Sequence, residues 1–373
     1  MKSNLDITQR AISGLKYLFV ADAIAMPVHW YYRIADIFAE FPGGISKLEN
    51  APPFHPGSIM SLHSTLGGGR NTAPRFGKVK EVVGAVILKD KAEFWGKPNI
   101  HYHQGMSAGE NTLNAHCARV LMRTIIAREG KYDEPDFLSA YVNFMTSDTP
   151  LHPDTYAESY HREFFSNLAA GLPANKCGGV THDTASIGGL VTIVPLAICL
   201  VLSGLKLNEV KKIARSHLRL THPDPDLYRV CDYFVELLRS LLLKKPDEQI
   251  DDLIDNISVN SVGDSMKAVI RQGLPDQVVI GRKYSSACYI TDSWPSVLYL
   301  ALKYQTNPLK GLFVNANLGG DNVHRGSILG TIFGLLGGSE ANYLFEKLTD
   351  TKTLENEIET MCNISSLPDN PSA

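Results

Sequence analysis

The chain has 373 residues, 44% of them hydrophobic, and its 36 basic and 39 acidic residues leave a formal net charge of -3. That length can bury a large core, and the near balance of charge, without a dense Lys/Arg run, excludes nucleic acid or an anionic membrane as the main partner. Six cysteines (Cys117, Cys177, Cys199, Cys231, Cys288 and Cys362) are scattered with no Cys-x-x-Cys, which points to reduced thiols in the cytoplasm and away from a structural zinc site.

In chain order, a first helix is expected from about Asp6 or Thr8 to the low twenties. Charges in its first half argue against a signal peptide. Asp22 sits inside Val-Ala-Asp-Ala-Ile-Ala, seven residues before His29. A carboxylate in such apolar company needs a partner, a metal, a proton or helix N–H groups. Between Pro42 and His103 the breakers Pro42-Gly43-Gly44, Pro52-Pro53 and Pro56-Gly57 describe a long excursion over one face of a helical body. Gly67-Gly68-Gly69-Arg70 lacks the Lys-Ser/Thr of a phosphate loop and reads as a turn. Lys78–Leu88 and Asn99–His103 are expected to pair as a small β-hairpin within residues 78–103. His101 and His103 would share one face of a strand, as polar wall residues of a site or plain hairpin residues; the sequence shows no third ligand for zinc.

Leu113, Cys117, Val120, Leu121 and Ile125 follow the helical period to about Gly130. The polar run Thr181-His182-Asp183-Thr184-Ala185-Ser186 precedes Ile187–Leu202, which is too short to span a bilayer and reads as a buried helix. Asn208 would cap a helix through Leu218, Thr221-His222-Pro223 would stop it, and Asp224 would cap the next. Asp292-Ser293-Trp294-Pro295 opens another. Gly326, Gly330, Gly334 and Gly338 then recur every four residues. Each costs about 1 kcal/mol in a helix relative to alanine, so another backbone is expected to lie very close along that face. Asp321, Asn322, His324 and Arg325 stand at the helix start, a natural place for an anionic group. The fold class is therefore all-α, one large orthogonal helical domain over residues 1–362, with 363–373 as a disordered tail.

Four segments, taken in order, resemble the ADP-ribosylglycohydrolase family. Ala21-Asp22-Ala23-Ile24-Ala25-Met26-Pro27-Val28-His29 matches its Gly-Asp-Ala-x-Gly-x-Pro-x-Glu segment. Gly109-Glu110-Asn111-Thr112 matches Thr-Asp-Asp-Thr, Thr221-His222-Pro223 matches Thr-His-Pro, and Gly319-Gly320-Asp321-Asn322-Val323-His324 matches Gly-Gly-Asp-Thr-Asp-Thr. The details around His29, His101-Tyr102-His103 and Asn322–Gly326 look most like the J1-crystallin and selenoprotein J branch. The resemblance implies an all-helical fold and a site for ADP-ribose held by two magnesium ions. Here Asn111, Val323, His324 and His29 replace groups of that metal site, and magnesium prefers hard oxygen ligands. One weak magnesium site of Asp22, Glu110 and Asp321 is the most this pattern allows.

The resemblance thus implies a hydrolase of an N- or O-glycosidic bond to ribose, with an altered, metal-poor active site and a small-molecule or ADP-ribosylated substrate. Asp22, His29, Glu110 and His324 are the expected catalytic residues, histidine being the side chain that titrates near neutrality. His101, His103, Asn111, Thr112, His182, Asp183, Ser186, Asn322 and Arg325 are expected to line the substrate. The alternative is a non-catalytic ADP-ribose-binding or crystallin-like structural relative.

Overall fold

The glycine-rich segment folds as the helix Asn322–Leu335, and its small face lies on the first helix, Asn4–Ala25. A Cβ on Gly326 would come within 3.2 Å of Ala21 O, and a Cβ on Gly330 or Gly334 would collide outright with Tyr17 O or Ser13 O. Both helices thus present four-residue spacing to each other, which keeps the contacting residues on one side of each. The expected close backbone approach is present, and its partner is the N-terminal helix.

The computed structural model describes residues 4–58, 60, 81–245 and 248–366. Among these the helices are α1 (Asn4–Ala25), α2 (Ile34–Glu40), α3 (Leu113–Ala127), α4 (Glu134–Thr146), α5 (Ser159–Ala169), α6 (Leu190–Leu202), α7 (Leu207–Arg219) and α8 (Pro225–Leu242). They continue with α9 (Ile250–Val262), α10 (Met266–Arg271), α11 (Asp276–Val279), α12 (Ile290–Tyr304), α13 (Pro308–Asn317), α14 (Asn322–Leu335), α15 (Asn342–Phe345) and α16 (Thr351–Ser365). The architecture is all-α. Helices α3, α6, α13, α15 and α16 pack around the α1–α14 pair, and both members of the pair are buried along almost their whole length. The stretch Asp6–Val28 is long and apolar enough to cross a membrane, yet its apolar 18-residue window is 89% buried inside the protein. Its apolarity is accounted for by the core.

Helix α6 is the buried apolar helix expected, with Pro195 inside it. Asp224 caps α8 by accepting the Leu227 N–H at 2.8 Å. Three boundaries differ from expectation. Helix α7 opens at Leu207, where the Glu209 side chain accepts the Lys206 N–H at 3.0 Å, so Asn208 is already inside the first turn. Helix α12 opens at Ile290, before Asp292, and Pro295 lies within it. Helix α16 runs to Ser365, so residues 363–365 complete its last turn, and 367–373 lie outside the described residues.

The excursion also differs. Among its described residues there is no hairpin ladder: Val83 bridges Ile87 within a single turn, and Ile100 bridges Phe54 instead of the 81–88 segment. The β-branched character of that segment is used in burying Val82, Val83 and Ile87 against the helices, which a residue-level preference cannot distinguish from strand pairing. Residues 78–80 and the Gly67–Arg70 run lie outside the described residues. What the excursion does place is His101 and His103, both buried, beside the end of α1.

Candidate active site

The chain leaves α1 at Ala25 through the short turn Met26–Val28, and an exchange of backbone hydrogen bonds then ties it to the start of α14. Trp30 N–H donates to Gly320 O and Gly320 N–H donates to Tyr31 O, both at 2.8 Å. Gly320 takes φ 65°, and a Cβ there would collide with Ser286 O, so only glycine fits. This clasp sets His29 against Asp321, the N-cap of α14, with His29 Nε2 3.1 Å from Asp321 Oδ1.

From that contact a chain of alternating groups runs in both directions. His29 Nδ1 lies 2.7 Å from His103 Nε2, and His103 Nδ1 lies 2.7 Å from Asp154 Oδ1. Asp154 is pinned at the start of α3 by the Leu113 N–H, 2.7 Å from its Oδ2. On the other side His324 Nδ1 lies 2.9 Å from Asp321 Oδ1, and His324 Nε2 lies 3.0 Å from Glu158 Oε1 and 2.7 Å from Asn114 Nδ2. Asp154, His103, His29, Asp321, His324 and Glu158 thus form one array, and every member is buried. A buried charge persists only when paired, and here three carboxylates and three imidazoles pair one another.

The electrostatics follow from that arrangement. Burial pushes the His29 imidazole down to about 3, with Asp321 opposing it and His103 and His324 adding to it. Burial opposes the charge on His324 as well, but Asp321 and Glu158 on either side outweigh it and raise its pKa well above the usual histidine range. Burial would raise Asp321, yet the charge of His324 and the contact with His29 outweigh it and hold the carboxyl well below the usual carboxylate range. Asp154 behaves alike, with burial overcome by His103. Asp321 Oδ2 and Glu158 Oε2 have no hydrogen-bond partner. Trp30 closes the array from outside. Its ring stacks on His29 with centroids 3.6 Å apart and meets Tyr102 and Tyr156 edge-on, and its φ of 60° is an outlier for a bulky residue.

The remaining expected site residues divide. Asp22 is fully buried but satisfied: its Oδ1 accepts Asn111 Nδ2 and Thr112 N–H, both at 2.8 Å, and its Oδ2 accepts Thr112 Oγ1 at 2.7 Å. Burial, its largest influence, raises its pKa despite those bonds. This knot ties α1 to the start of α3, which is the satisfied-carboxylate reading that Asp22 also allowed. Asp22→Ala leaves two or three buried donors unanswered, so a loss of about 3 kcal/mol in chemical denaturation is expected; an unchanged midpoint would show that the knot holds nothing. Glu110 is not brought to Asp22. Its Oε2 accepts the Ser107 N–H at 2.6 Å, and it lines a separate pocket of about 160 Å³ with Arg119 and Arg123. Arg325 is 0% exposed, and it donates to Asn315 Oδ1 at 2.7 Å and Gly319 O at 2.9 Å. It braces the glycine turn and is not placed to receive a phosphate. Asn322 donates to Val28 O and Ala316 O, and His101 contacts Pro27 O at 3.1 Å; both are scaffold. Asp183 accepts from Ser159 N–H and Ser159 Oγ, with His182 Nε2 3.1 Å from its Oδ1. Ser186 Oγ and His324 Nδ1 both border Gly188, each 3.3 Å from where a Cβ there would stand.

Sequence reasoning does not single out Asp154, Glu158, Asn114 or the capping role of Trp30. Asp154 and Glu158 stand in Pro-Asp-Thr-Tyr-Ala-Glu-Ser, outside any periodic run; the only signal is two acids just before the aromatic helix α5. The magnesium set Asp22, Glu110 and Asp321 is not assembled, since one member is saturated and another points elsewhere. The hard-oxygen cage that magnesium wants does not fit these residues.

An all-α body whose polar centre is a sealed run of imidazoles and carboxylates has the groups of a hydrolytic enzyme, able to hold and move a proton beside a polar bond. The family model for ADP-ribosylglycohydrolases matches residues 3–363. The chain therefore belongs to the ADP-ribosylglycohydrolase family, a family of hydrolases that is typically metal-dependent. Among solved structures, the fold is similar to an "ADP-ribosylglycohydrolase-related protein complex" at a TM-score of 0.56 and 18% identity, covering 97% of this chain and 99% of that one. No curated protein sequence matches the chain.

Proposed function

We propose that this chain hydrolyses an N- or O-glycosidic bond to the ribose of an ADP-ribosyl group, at an active site from which the family's magnesium cage has been removed. The observation that carries the reading is the sealed array itself, with Asp321 Oδ2 buried and unpartnered at its centre. A free, ionised acceptor of that kind suits a ribose hydroxyl or an attacking water. Glycosidic cleavage passes through an oxocarbenium-like state that a nearby carboxylate stabilises, and Asp321 is the ionised carboxylate in place. His29 stands beside it with His103 and Asp154 in line behind, a path along which a proton taken from water can be passed away from the reacting carbon. His324, fixed between Asp321 and Glu158, is the group placed to give a proton to the leaving atom. Substrate entry requires Trp30 to leave the face of His29.

His29→Ala and His324→Gln are each expected to lower kcat on an ADP-ribosylated substrate by about 10²- to 10⁴-fold, with the helical circular dichroism retained. Wild-type rates in both would remove the proposal. The same stacked Trp30 favours a second reading, a non-catalytic or crystallin-like relative whose site stays shut. Thermal shift with ADP-ribose tests the shut site: no rise in Tm at any concentration supports a crystallin-like relative, whereas a rise that does not depend on magnesium leaves an enzyme or a non-catalytic binder, which turnover of an ADP-ribosylated substrate separates.

A further inference from the structure

The contacts around the array allow an arrangement of protons that leaves His29 Nε2 a lone pair toward Asp321. Asp154 Oδ1 faces His103 Nδ1 at 2.7 Å, so that nitrogen carries hydrogen, and a neutral His103 leaves Nε2 as an acceptor. His29 Nδ1, 2.7 Å from that Nε2, then carries the hydrogen of His29, and His29 Nε2 presents a lone pair to Asp321. On the other side Glu158 Oε1 lies 3.0 Å from His324 Nε2. The amide of Asn114 lies 2.7 Å from the same nitrogen, and His324 Nδ1 faces Asp321 Oδ1 at 2.9 Å as its ion-pair partner, so a metal ion at this point would take the place of the Nδ1 proton. The three possible ligand atoms, His29 Nε2, His324 Nδ1 and an Asp321 oxygen, lie within 4.8 Å of one another, and all three residues are buried.

We infer that these three groups form a binding site for one divalent metal ion of borderline softness, of the zinc class, in place of the hard magnesium cage. Each imidazole has its far nitrogen held by a partner, His103 backed by Asp154 for His29 and Glu158 for His324, which is how ligating histidines are oriented. His324 Nδ1 approaches Asp321 without a hydrogen bond, and Asp321 Oδ2 has no partner either, although both atoms are buried. Two of the three groups therefore still have an unanswered atom. Space is kept at the same point. A Cβ on Gly188 would lie 3.3 Å from His324 Nδ1 and 3.3 Å from Ser186 Oγ, and glycine leaves that approach open. Two imidazoles and one carboxylate suit zinc and its transition-metal neighbours better than magnesium. The inference rests on the functional reading of this site and changes one part of it: with His29 Nε2 and His324 Nδ1 given to a metal ion, the ion would supply the activation of water in place of those two imidazoles.

The test uses the full chain, stripped with a chelator and titrated with zinc alone and with magnesium alone by calorimetry, with bound metal counted by elemental analysis. One equivalent of zinc bound at micromolar Kd or tighter, with magnesium silent at millimolar concentration, is expected. Asp321→Asn keeps the shape of the site and should weaken zinc at least 100-fold. Gly188→Ala, which crowds Asn114 Nδ2, His324 Nδ1 and Ser186 Oγ together, should weaken it by a smaller factor, and it serves as the second probe if Asp321→Asn fails to fold. No zinc bound, zinc bound equally well by both variants, or magnesium bound as tightly as zinc would each overturn the inference. Failure of zinc with ADP-ribose stabilisation intact sinks the metal alone, whereas zinc bound without any response to ADP-ribose sinks the proposed substrate and leaves the metal site standing.

Discussion

Acidification from pH 7 to pH 5 unfolds this protein in one cooperative transition; that is the largest effect the structure leads us to expect. Of the twelve histidines in the chain, eight are held below the ordinary value chiefly by burial: His29, His116, His217 and His222 to about 3, His55 to about 4, and His101, His152 and His161 in the same direction. Each stays neutral in the fold and takes up a proton near pH 6.5 once the chain is unfolded. Their contribution to stability is therefore complete above about pH 6.5 and is lost as the pH falls toward the folded values. The five held to about 3 or 4 alone give a slope approaching about 7 kcal/mol per pH unit, the other three adding to it in the same direction, against a total stability of about 5–15 kcal/mol. His324 works the other way: its raised pKa stabilises the fold at low pH and releases that contribution only on the alkaline side. Asp22, also raised, offsets a further part below its own range. Neither reverses eight groups acting together. Tryptophan fluorescence and circular dichroism followed against pH give the midpoint, expected between about pH 5 and 6 from those directions, and the number of protons taken up. A fold that persists to pH 4 would mean that these histidines are hydrated or charged in the native state.

Gly330→Ala is expected to cost about 3 kcal/mol, more than the roughly 1 kcal/mol that alanine gains over glycine in an open helix. The new methyl would sit 2.8 Å from the Ala21 Cβ and closer still to Tyr17 O. Neither a backbone carbonyl nor the neighbouring helix axis can yield without moving the other contacts of α1. Moving α1 away from α14 also draws Asp22 and the turn before His29 away from Asp321, so activity falls together with stability. Chemical denaturation of Gly330→Ala beside Gly263→Ala measures the effect against an internal contrast. The Gly263 Cβ meets nothing within 4 Å, and its strain comes only from φ 87°. A smaller loss at position 330 than at 263 would show that the α1–α14 contact is looser than described.

Much of the fold is legible in the residues themselves. The period of Leu113–Ile125, the capping Asp224 and the apolar stretch before Leu202 all specify helices locally, because hydrophobic spacing and capping act within one or two turns. The excursion is not legible in that way: Val82, Val83 and Ile87 carry strand-like side chains, but they pack into helices, and burial is the stronger demand on them. At the site, His29, His103, Asp321 and His324 stand out as polar residues interrupting apolar sequence. Glu110 and Arg325 look equivalent to them in the sequence and are not, since one faces a surface turn and the other is consumed in bracing Gly319.

The sequence alone determined that this is an all-helical chain with a close-packed glycine helix and polar groups gathered at helix starts, and its ordered motifs carried the family resemblance. Only the tertiary structure decided that α1 is the glycine helix's partner, that Asp22 is spent on the start of α3, and that Asp154 and Glu158 complete the array. The physical reason is range. Spacing and caps are fixed by neighbours a few residues away, whereas His29 meets Asp321 across 292 positions of chain, through a clasp whose geometry exists only once α1 and α14 are packed.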